Sequence, residues 1–201
     1  MQFSSILTSF ALLGALTLSP FTPVLAQGRD NTRVDEAILD MAQAYKQRDR
    51  KRLTALLPQV RGYVLEPWGA YWELSARLDD AGPSEIQDFM NRYSGTYQED
   101  RLRADWLLQL GKRRDWQAFN REYPKYRMND DKSVRCYALL AEHLSGGTDV
   151  NKAVYDTWLS QKDADEGCAA AAEQLVKDHS TRKQPVWLRA RLGMENDRLR
   201  I

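Results

Sequence analysis

The sequence predicts an all-α fold, a superhelical stack of antiparallel helix pairs of the tetratricopeptide-like α-solenoid type. Three observations predict it. Apolar residues recur at helical spacing from residue 30 onward, short polar or Gly- and Pro-containing breaks separate the apolar segments, and the helices come in pairs at a regular interval. No stretch of this part shows the strict apolar and polar alternation of a half-buried strand.

The first helices are expected over residues 34–48 and 49–57, and the second ends because a proline follows it. Thr32 and Asp35 have the spacing of a capping pair at the start of the first helix. A third helix is expected over residues 68–78, after a loop that contains a glycine and a proline.

Ser84 and Gln87 have the spacing of a capping box, which opens a fourth helix after the Gly-Pro break. This helix carries three apolar residues on one face, which are Ile86, Phe89 and Met90. Six further helices are expected over residues 98–110, 115–122, 131–144, 150–161, 164–178 and 185–196.

The helix pairs repeat at about the interval that tetratricopeptide hairpins use, roughly 34 residues. In the first helix of each pair, Trp72 and Trp106 stand 34 residues apart. In the second helices, Leu53, Ile86 and Phe119 follow one another at intervals of 33 residues. Because such pairs bury their apolar faces only by stacking on their neighbours, the spacing predicts a curved stack, although the tetratricopeptide consensus is missing.

The N-terminus has the layout of a cleavable export signal. Residues 1–26 contain no Asp, Glu, Lys or Arg, and an apolar segment over residues 6–18 leads to prolines and a small-residue ending at Ala26. We therefore expect a signal peptide over 1–26, a helical domain over 27–201 and a periplasmic location. The alternative is a buried or disordered N-terminal segment. It stays open because signal peptides usually carry a basic residue before the apolar segment, and this sequence has none there. That segment is shorter than the roughly 20 residues of a membrane span, so no membrane anchor is expected.

The net charge of +1 argues against a nucleic-acid-binding protein. The two cysteines, Cys136 and Cys168, both lie in the part that would be exported. In an oxidising compartment such a pair is most simply a disulfide. The alternative is a pair of buried free thiols in a cytosolic protein.

No catalytic, cofactor-binding or metal-binding residue can be assigned from the sequence. Glu99 and Asp100 open a helix, where acids favour the positive end of the helix dipole, and Asp105 is expected to pair with Arg101. The two histidines, at 143 and 179, lack the further ligands that a metal site needs. No cofactor is therefore predicted.

The aromatic residues suggest sugar stacking as one interpretation and core packing as another. Tyr71, Trp106 and Trp116 fall at core spacing on amphipathic helices, which favours packing. Trp68 and Tyr97 are the least determined, because they stand where helices begin.

Six short segments contain aromatic, arginine or cysteine residues in a characteristic order along the chain. They read Pro-Trp-Gly-Ala-Tyr-Trp-Glu-Leu at 67–74, Gly-Thr-Tyr at 95–97, Asp-Arg-Leu-Arg-Ala-Asp-Trp at 100–106, Arg-Cys-Tyr-Ala-Leu-Leu at 135–140, Trp-Leu-Ser at 158–160 and Trp-Leu-Arg-Ala-Arg-Leu at 187–192. Together they resemble the N-terminal superhelical domain of soluble lytic murein transglycosylases, periplasmic enzymes that cut the glycan strands of peptidoglycan. The resemblance covers residues 34–196, and its cysteine positions support pairing Cys136 with Cys168.

The resemblance implies a ring of helices topped by a goose-lysozyme-like catalytic domain. That domain cleaves between N-acetylmuramic acid and N-acetylglucosamine with one Glu in a Glu-Ser context. This sequence contains no Glu-Ser dipeptide, so we expect the catalytic domain to lie outside it. The expected function is a monomeric, catalytically silent scaffold whose partner is the peptidoglycan glycan strand. The alternatives are a stand-alone periplasmic tetratricopeptide-like module that binds a protein and, more weakly supported, an enzyme of unrecognised type.

Overall fold

The computed structural model describes residues 24–147, 150–161, 163, 165–178 and 184–195, and these residues contain helices but no strand. The α-helices are α1 (Val24–Lys46), α2 (Arg50–Leu56), α3 (Glu66–Ala76), α4 (Pro83–Arg92), α5 (Tyr97–Arg113), α6 (Trp116–Glu122), α7 (Lys132–Leu144), α8 (Asn151–Leu159), α9 (Glu166–Lys177) and α10 (Gln184–Glu195). One 3-10 turn follows α2 (Leu57–Val60) and another follows α6 (Tyr123–Lys125). The predicted all-α class is confirmed.

Two predicted capping pairs do not lie at the starts of their helices. α1 begins at Val24 rather than at residue 34, so Thr32 and Asp35 lie inside a helix and the predicted cap is wrong. The predicted signal peptide, residues 1–26, lies outside the described residues apart from its last three. No described helix is both long and apolar enough to cross a membrane.

The capping box predicted at Ser84 and Gln87 is also wrong. α4 starts one residue earlier, at Pro83, with Gly82 as its N-cap and no side-chain cap. The reason is that proline fits the first helical position, where its missing N–H and fixed φ cost nothing. Ser84 therefore lies within the first turn, and Gln87 donates instead to the Asn91 side chain at 3.0 Å.

The helices stack in two rows. The odd-numbered helices α1, α3, α5, α7 and α9 pack on one another in chain order and form what we call the odd-helix row. The even-numbered helices α2, α6 and α8 lie against this row, with α2 touching α1 and α3, α6 touching α5 and α7, and α8 touching α7 and α9. α4 packs on α5. This arrangement is a solenoid-like stack of helix pairs, as the repeat spacing predicts.

The repeat positions of the even-numbered helices lie in the core. Leu53, Ile86 and Phe119 are all fully buried, each on the side of its helix that meets the odd-helix row. Trp72 is half-buried and packs against both the small cluster around Met41 and the main core, so the stack is continuous between them. The spacing of 33 to 34 residues thus identifies equivalent positions in successive pairs.

Cys136 of α7 and Cys168 of α9 form a disulfide, as predicted. Both cysteines are fully buried, and their sequence separation is 32 residues. The bond joins two neighbouring helices of the odd-helix row and encloses α8 in its loop. Cross-linking such a loop lowers the conformational entropy of the unfolded chain. In the chain-entropy model this stabilises the fold by about 3 to 4 kcal/mol at room temperature.

Replacing both cysteines, Cys136→Ala with Cys168→Ala, should lower the free energy of unfolding by about 3 kcal/mol. Urea unfolding followed by circular dichroism measures the change. Adding a reductant should destabilise the wild type by a similar amount and leave the double variant unchanged. A double variant as stable as the oxidised wild type would contradict the assignment.

Candidate functional site

The first turn of α5 carries acids that are buried rather than exposed. Thr96 caps the helix, accepting from the Glu99 N–H at 3.2 Å. Glu99 and Asp100 are only 2% and 1% exposed, although their position at a helix start suggested ordinary dipole-favouring acids. Because a buried carboxylate is costly unless it is paired or hydrogen-bonded, their partners decide what they do.

Asp100 fastens the segment before α7 to the start of α5. Its carboxylate accepts from the backbone N–H of Arg127 at 3.0 Å and from that of Met128 at 2.7 Å. This segment has no regular structure to satisfy its own N–H groups, so the Asp100 carboxylate supplies the acceptors. The side chain is thus a structural clamp between two successive helix pairs.

Glu99 belongs to an ion cluster with two arginines, of which Arg103 is buried and Arg127 is exposed. Arg103 bonds both Glu99 and Glu122 and so joins α5 to α6. Arg127 lies 2.8 Å from the other Glu99 oxygen. Burial alone would raise the pKa of Glu99, but Arg103 and Arg127 outweigh it and lower the pKa below the ordinary value of 4.5. Glu99 is therefore ionised at neutral pH and unsuited to act as a general acid.

Asp105 bonds a side chain of a neighbouring helix in addition to interacting with the charge of Arg101, its predicted partner. The Tyr71 hydroxyl of α3 donates to the Asp105 carboxylate at 2.8 Å. Burial raises the pKa of Asp105, while the Tyr71 hydrogen bond and the Arg101 charge oppose the rise. Burial lowers the pKa of Arg101, but the Tyr71 hydrogen bond and the Asp105 charge raise it overall. The three side chains form one polar group that links α3 and α5.

Four aromatic rings lie side by side over this polar group on α1, α3 and α5. We call Tyr45, Trp72, Trp68 and Tyr97, in that spatial order, the aromatic strip. Successive ring centroids are 6.2, 5.7 and 5.7 Å apart. Tyr97 is 54% exposed and the other three rings are half-buried, so the strip is accessible from solvent. Tyr45, Trp68 and Trp72 pack against the core with part of their surface, whereas Tyr71 and Trp106 are buried as predicted.

The aromatic strip suits a ligand that presents both a flat apolar face and polar edges. An aromatic ring face is electron-rich, so it attracts the slightly positive C–H groups on the face of a sugar ring. The charge of Arg101 interacts with Tyr97 of the strip and with Tyr71 below it, and a guanidinium offers several N–H donors for hydroxyl or carbonyl oxygens.

The remaining candidate groups lie elsewhere. His143 contacts Asp178, Nε2 to Oδ2, at 3.0 Å, and His179 lies outside the described residues. No group of three or more His, Cys, Asp or Glu side chains that could hold a metal ion occurs within the described part of the chain.

Comparison with known proteins gives one structural likeness. No protein-family model matches the sequence, and no curated protein matches it either. The fold is similar to a solved structure of the 70-kDa soluble lytic transglycosylase in complex with bulgecin A, with a TM-score of 0.57 and 16% sequence identity. That likeness establishes the fold. It covers 81% of this chain, which spans only 26% of the length of that protein.

Sequence reasoning missed the roles of Glu99, Asp100 and Arg103. The one local signal is the spacing of four between Glu99 and Arg103, which is typical of an ion pair on a helix. Nothing in the sequence marks the partners of Asp100, because they are backbone groups 27 and 28 residues away.

Replacing Asp100 by Asn should lower the free energy of unfolding by about 1 to 3 kcal/mol, because two N–H groups lose a charged acceptor. Urea unfolding measures the loss. The matched control is Asp88→Asn, an exposed acid on α4 for which little change is expected. Equal stability of the two variants would show that Asp100 is not a clamp.

The lowered pKa of Glu99 predicts a loss of stability in acid. Because this pKa lies below 4.5 in the folded protein, the unfolded chain takes up the proton first as the pH falls. The stabilisation is therefore complete above pH 4.5 and is lost as the pH falls through the folded pKa. Glu99→Gln should flatten the dependence of unfolding free energy on pH below 4.5, measured by urea unfolding at several pH values. An unchanged slope would contradict the prediction.

Proposed function

We propose that the chain is the helical scaffold region of a lytic-transglycosylase-like protein, and that its aromatic strip holds a glycan strand of peptidoglycan. Two observations support the proposal. The fold is similar to the 70-kDa soluble lytic transglycosylase, and four solvent-accessible aromatic rings run across α1, α3 and α5. The second carries the argument, because neighbouring aromatic rings that are each partly open to solvent can stack on successive sugar rings.

The strip has the arrangement that a polysaccharide requires. Its rings follow one another along the odd-helix row at nearly even intervals, so successive sugar units of one strand would each meet a ring. Trp68 lies in the middle, in contact with both Trp72 and Tyr97. Trp68 is therefore the expected anchor of the strand, with Tyr97 at the more open end.

Arg101 would add polar recognition at the edge of the strip. Its guanidinium interacts electrostatically with Tyr71 and Asp105, which raise its pKa and keep it charged. The acetamide carbonyls and carboxylates of peptidoglycan are acceptors that such a group bonds well. Binding by stacking and hydrogen bonding, without bond cleavage, is the activity that we assign to this surface.

The proposal places the protein in the periplasm as a monomer. The buried disulfide supports export, since disulfides persist in oxidising compartments and are rare in the cytosol. The uncharged N-terminal segment supports it independently.

The test is binding of the purified protein to intact peptidoglycan sacculi. The double variant Trp68→Ala with Tyr97→Ala should bind about tenfold more weakly, because each ring contributes roughly 0.5 to 1.5 kcal/mol by stacking. Co-sedimentation at increasing sacculus concentration measures the affinity. The matched control is Trp187→Ala on α10, which removes a ring that is 72% exposed and outside the strip.

Two results would refute the proposal. One is equal sacculus binding by wild type and double variant, since the strip would then hold no glycan. The other is release of soluble sugar fragments that Asp105→Asn abolishes, since this surface would then cleave rather than bind. If the double variant still binds sacculi as the wild type does but no longer binds a protein partner, the chain is instead a protein-binding module.

A further inference from the structure

A recess separate from the aromatic strip lies between the segment before α7, the first turns of α7, and α8. We call it the α7–α8 groove. Three acids, three bases and three uncharged polar residues line it, which are Asp130, Asp131, Asp156, Lys132, Arg135, Lys152, Asn129, Thr157 and Ser160. Its volume is about 640 Å³, roughly twice that of the recess between α4 and α6 at about 310 Å³. This volume falls within the range of small-ligand pockets, roughly 300 to 1,000 Å³.

The three cations of the groove differ in how far they are already bonded. Lys132 Nζ donates to the carbonyl and hydroxyl oxygens of Ser160, at 3.3 and 3.1 Å. Lys152 is paired with Asp156. The Arg135 guanidinium makes no hydrogen bond or ion pair with any residue that the structure describes. Arg135 therefore presents a full set of N–H donors in the fork geometry that matches a carboxylate.

The acids of the groove keep acceptor capacity of their own. Asp130 accepts from the Tyr126 hydroxyl at 2.5 Å, and Asp156 accepts from Lys152. Each ionised carboxylate has about four acceptor positions, so both can take a further donor. The groove is lined by three acids and three bases, so a ligand that carries both a carboxylate and an ammonium group matches its charges better than a simple anion or a simple cation does.

The wall that carries Asp130 is held in place before any ligand binds. The Tyr126 hydroxyl accepts from the backbone N–H groups of Asp130 and Asp131, at 3.3 and 3.2 Å. Asp100 holds the beginning of the same segment through Arg127 and Met128. This wall of the groove is thus fixed before binding, which lowers part of the entropic cost of binding.

We propose that the α7–α8 groove binds a short peptide that carries both a free carboxylate and a free ammonium group. The carboxylate bonds the Arg135 guanidinium, and the ammonium group lies between Asp130 and Asp156. This site is independent of the aromatic strip, so it stands whether or not the strip binds glycan.

The test is an NMR titration of the ¹⁵N-labelled protein with unblocked trialanine. Saturable shift changes are expected at residues 129–160. Trialanine amide and N-acetyl-trialanine should each bind at least about tenfold more weakly, because each lacks one charged hydrogen bond. Inorganic phosphate should bind more weakly than trialanine.

Arg135→Gln should weaken trialanine binding by at least about tenfold, and Arg135→Lys should restore part of it. Arg61→Gln, which removes another exposed arginine far from the groove in sequence, is the matched control and should bind as the wild type does. Thermal unfolding of all three variants checks that they fold. The proposal is overturned if trialanine gives no saturable shifts, if phosphate or either blocked peptide binds equally well, or if Arg135→Gln has no effect.

Discussion

The stack depends on the buried acids at the start of α5. Glu99 and Asp100 are adjacent but have different partners. Glu99 pairs with Arg103, which also bonds α6, and with Arg127 of the segment before α7. Asp100 accepts from backbone N–H groups of that same segment. α5 itself lies between α3 and α7 in the odd-helix row. A single helical turn therefore fixes how two successive helix pairs meet. Because buried carboxylates are costly when unpaired, this turn tolerates few other arrangements of its neighbours.

On α5 the residues that hold the stack together are therefore different from those that face solvent. The buried acids are committed to partners within the stack, which leaves them no part in recognition. Tyr97, at the first position of the same helix, points outward and completes the aromatic strip. Arg101, one turn on, connects the strip to the hydrogen bond between Tyr71 and Asp105. Tyr71 and Asp105 are themselves one repeat apart, so the 34-residue interval aligns these groups across α3 and α5.

The sequence predicted the helices well because local physics determines them. Apolar periodicity with Gly and Pro breaks predicts the order and approximate position of all ten, and the repeat interval finds the buried set Leu53, Ile86 and Phe119. The exact helix starts are less predictable from the sequence. In α4, for example, Pro83 is the first helical residue, so Gly82 and not Ser84 is the N-cap. The bonds of Asp100 were beyond sequence reasoning, because backbone N–H groups carry no residue signature. The accessibility of Trp68 was likewise undetermined, because it depends on which face of α3 the neighbouring helices cover.

The central claim is that the odd-helix row uses its aromatic strip, and not its acids, to hold a glycan strand. The most direct measurement is a crystal structure of the protein soaked with a peptidoglycan tetrasaccharide of N-acetylglucosamine and N-acetylmuramic acid. The account predicts sugar rings stacked on Trp68 and Tyr97, with Arg101 bonding an acetamide or carboxylate oxygen and Glu99 and Asp100 still buried in their present contacts. A saccharide bound at another surface, or one that draws Glu99 or Asp100 out of the stack, would contradict it.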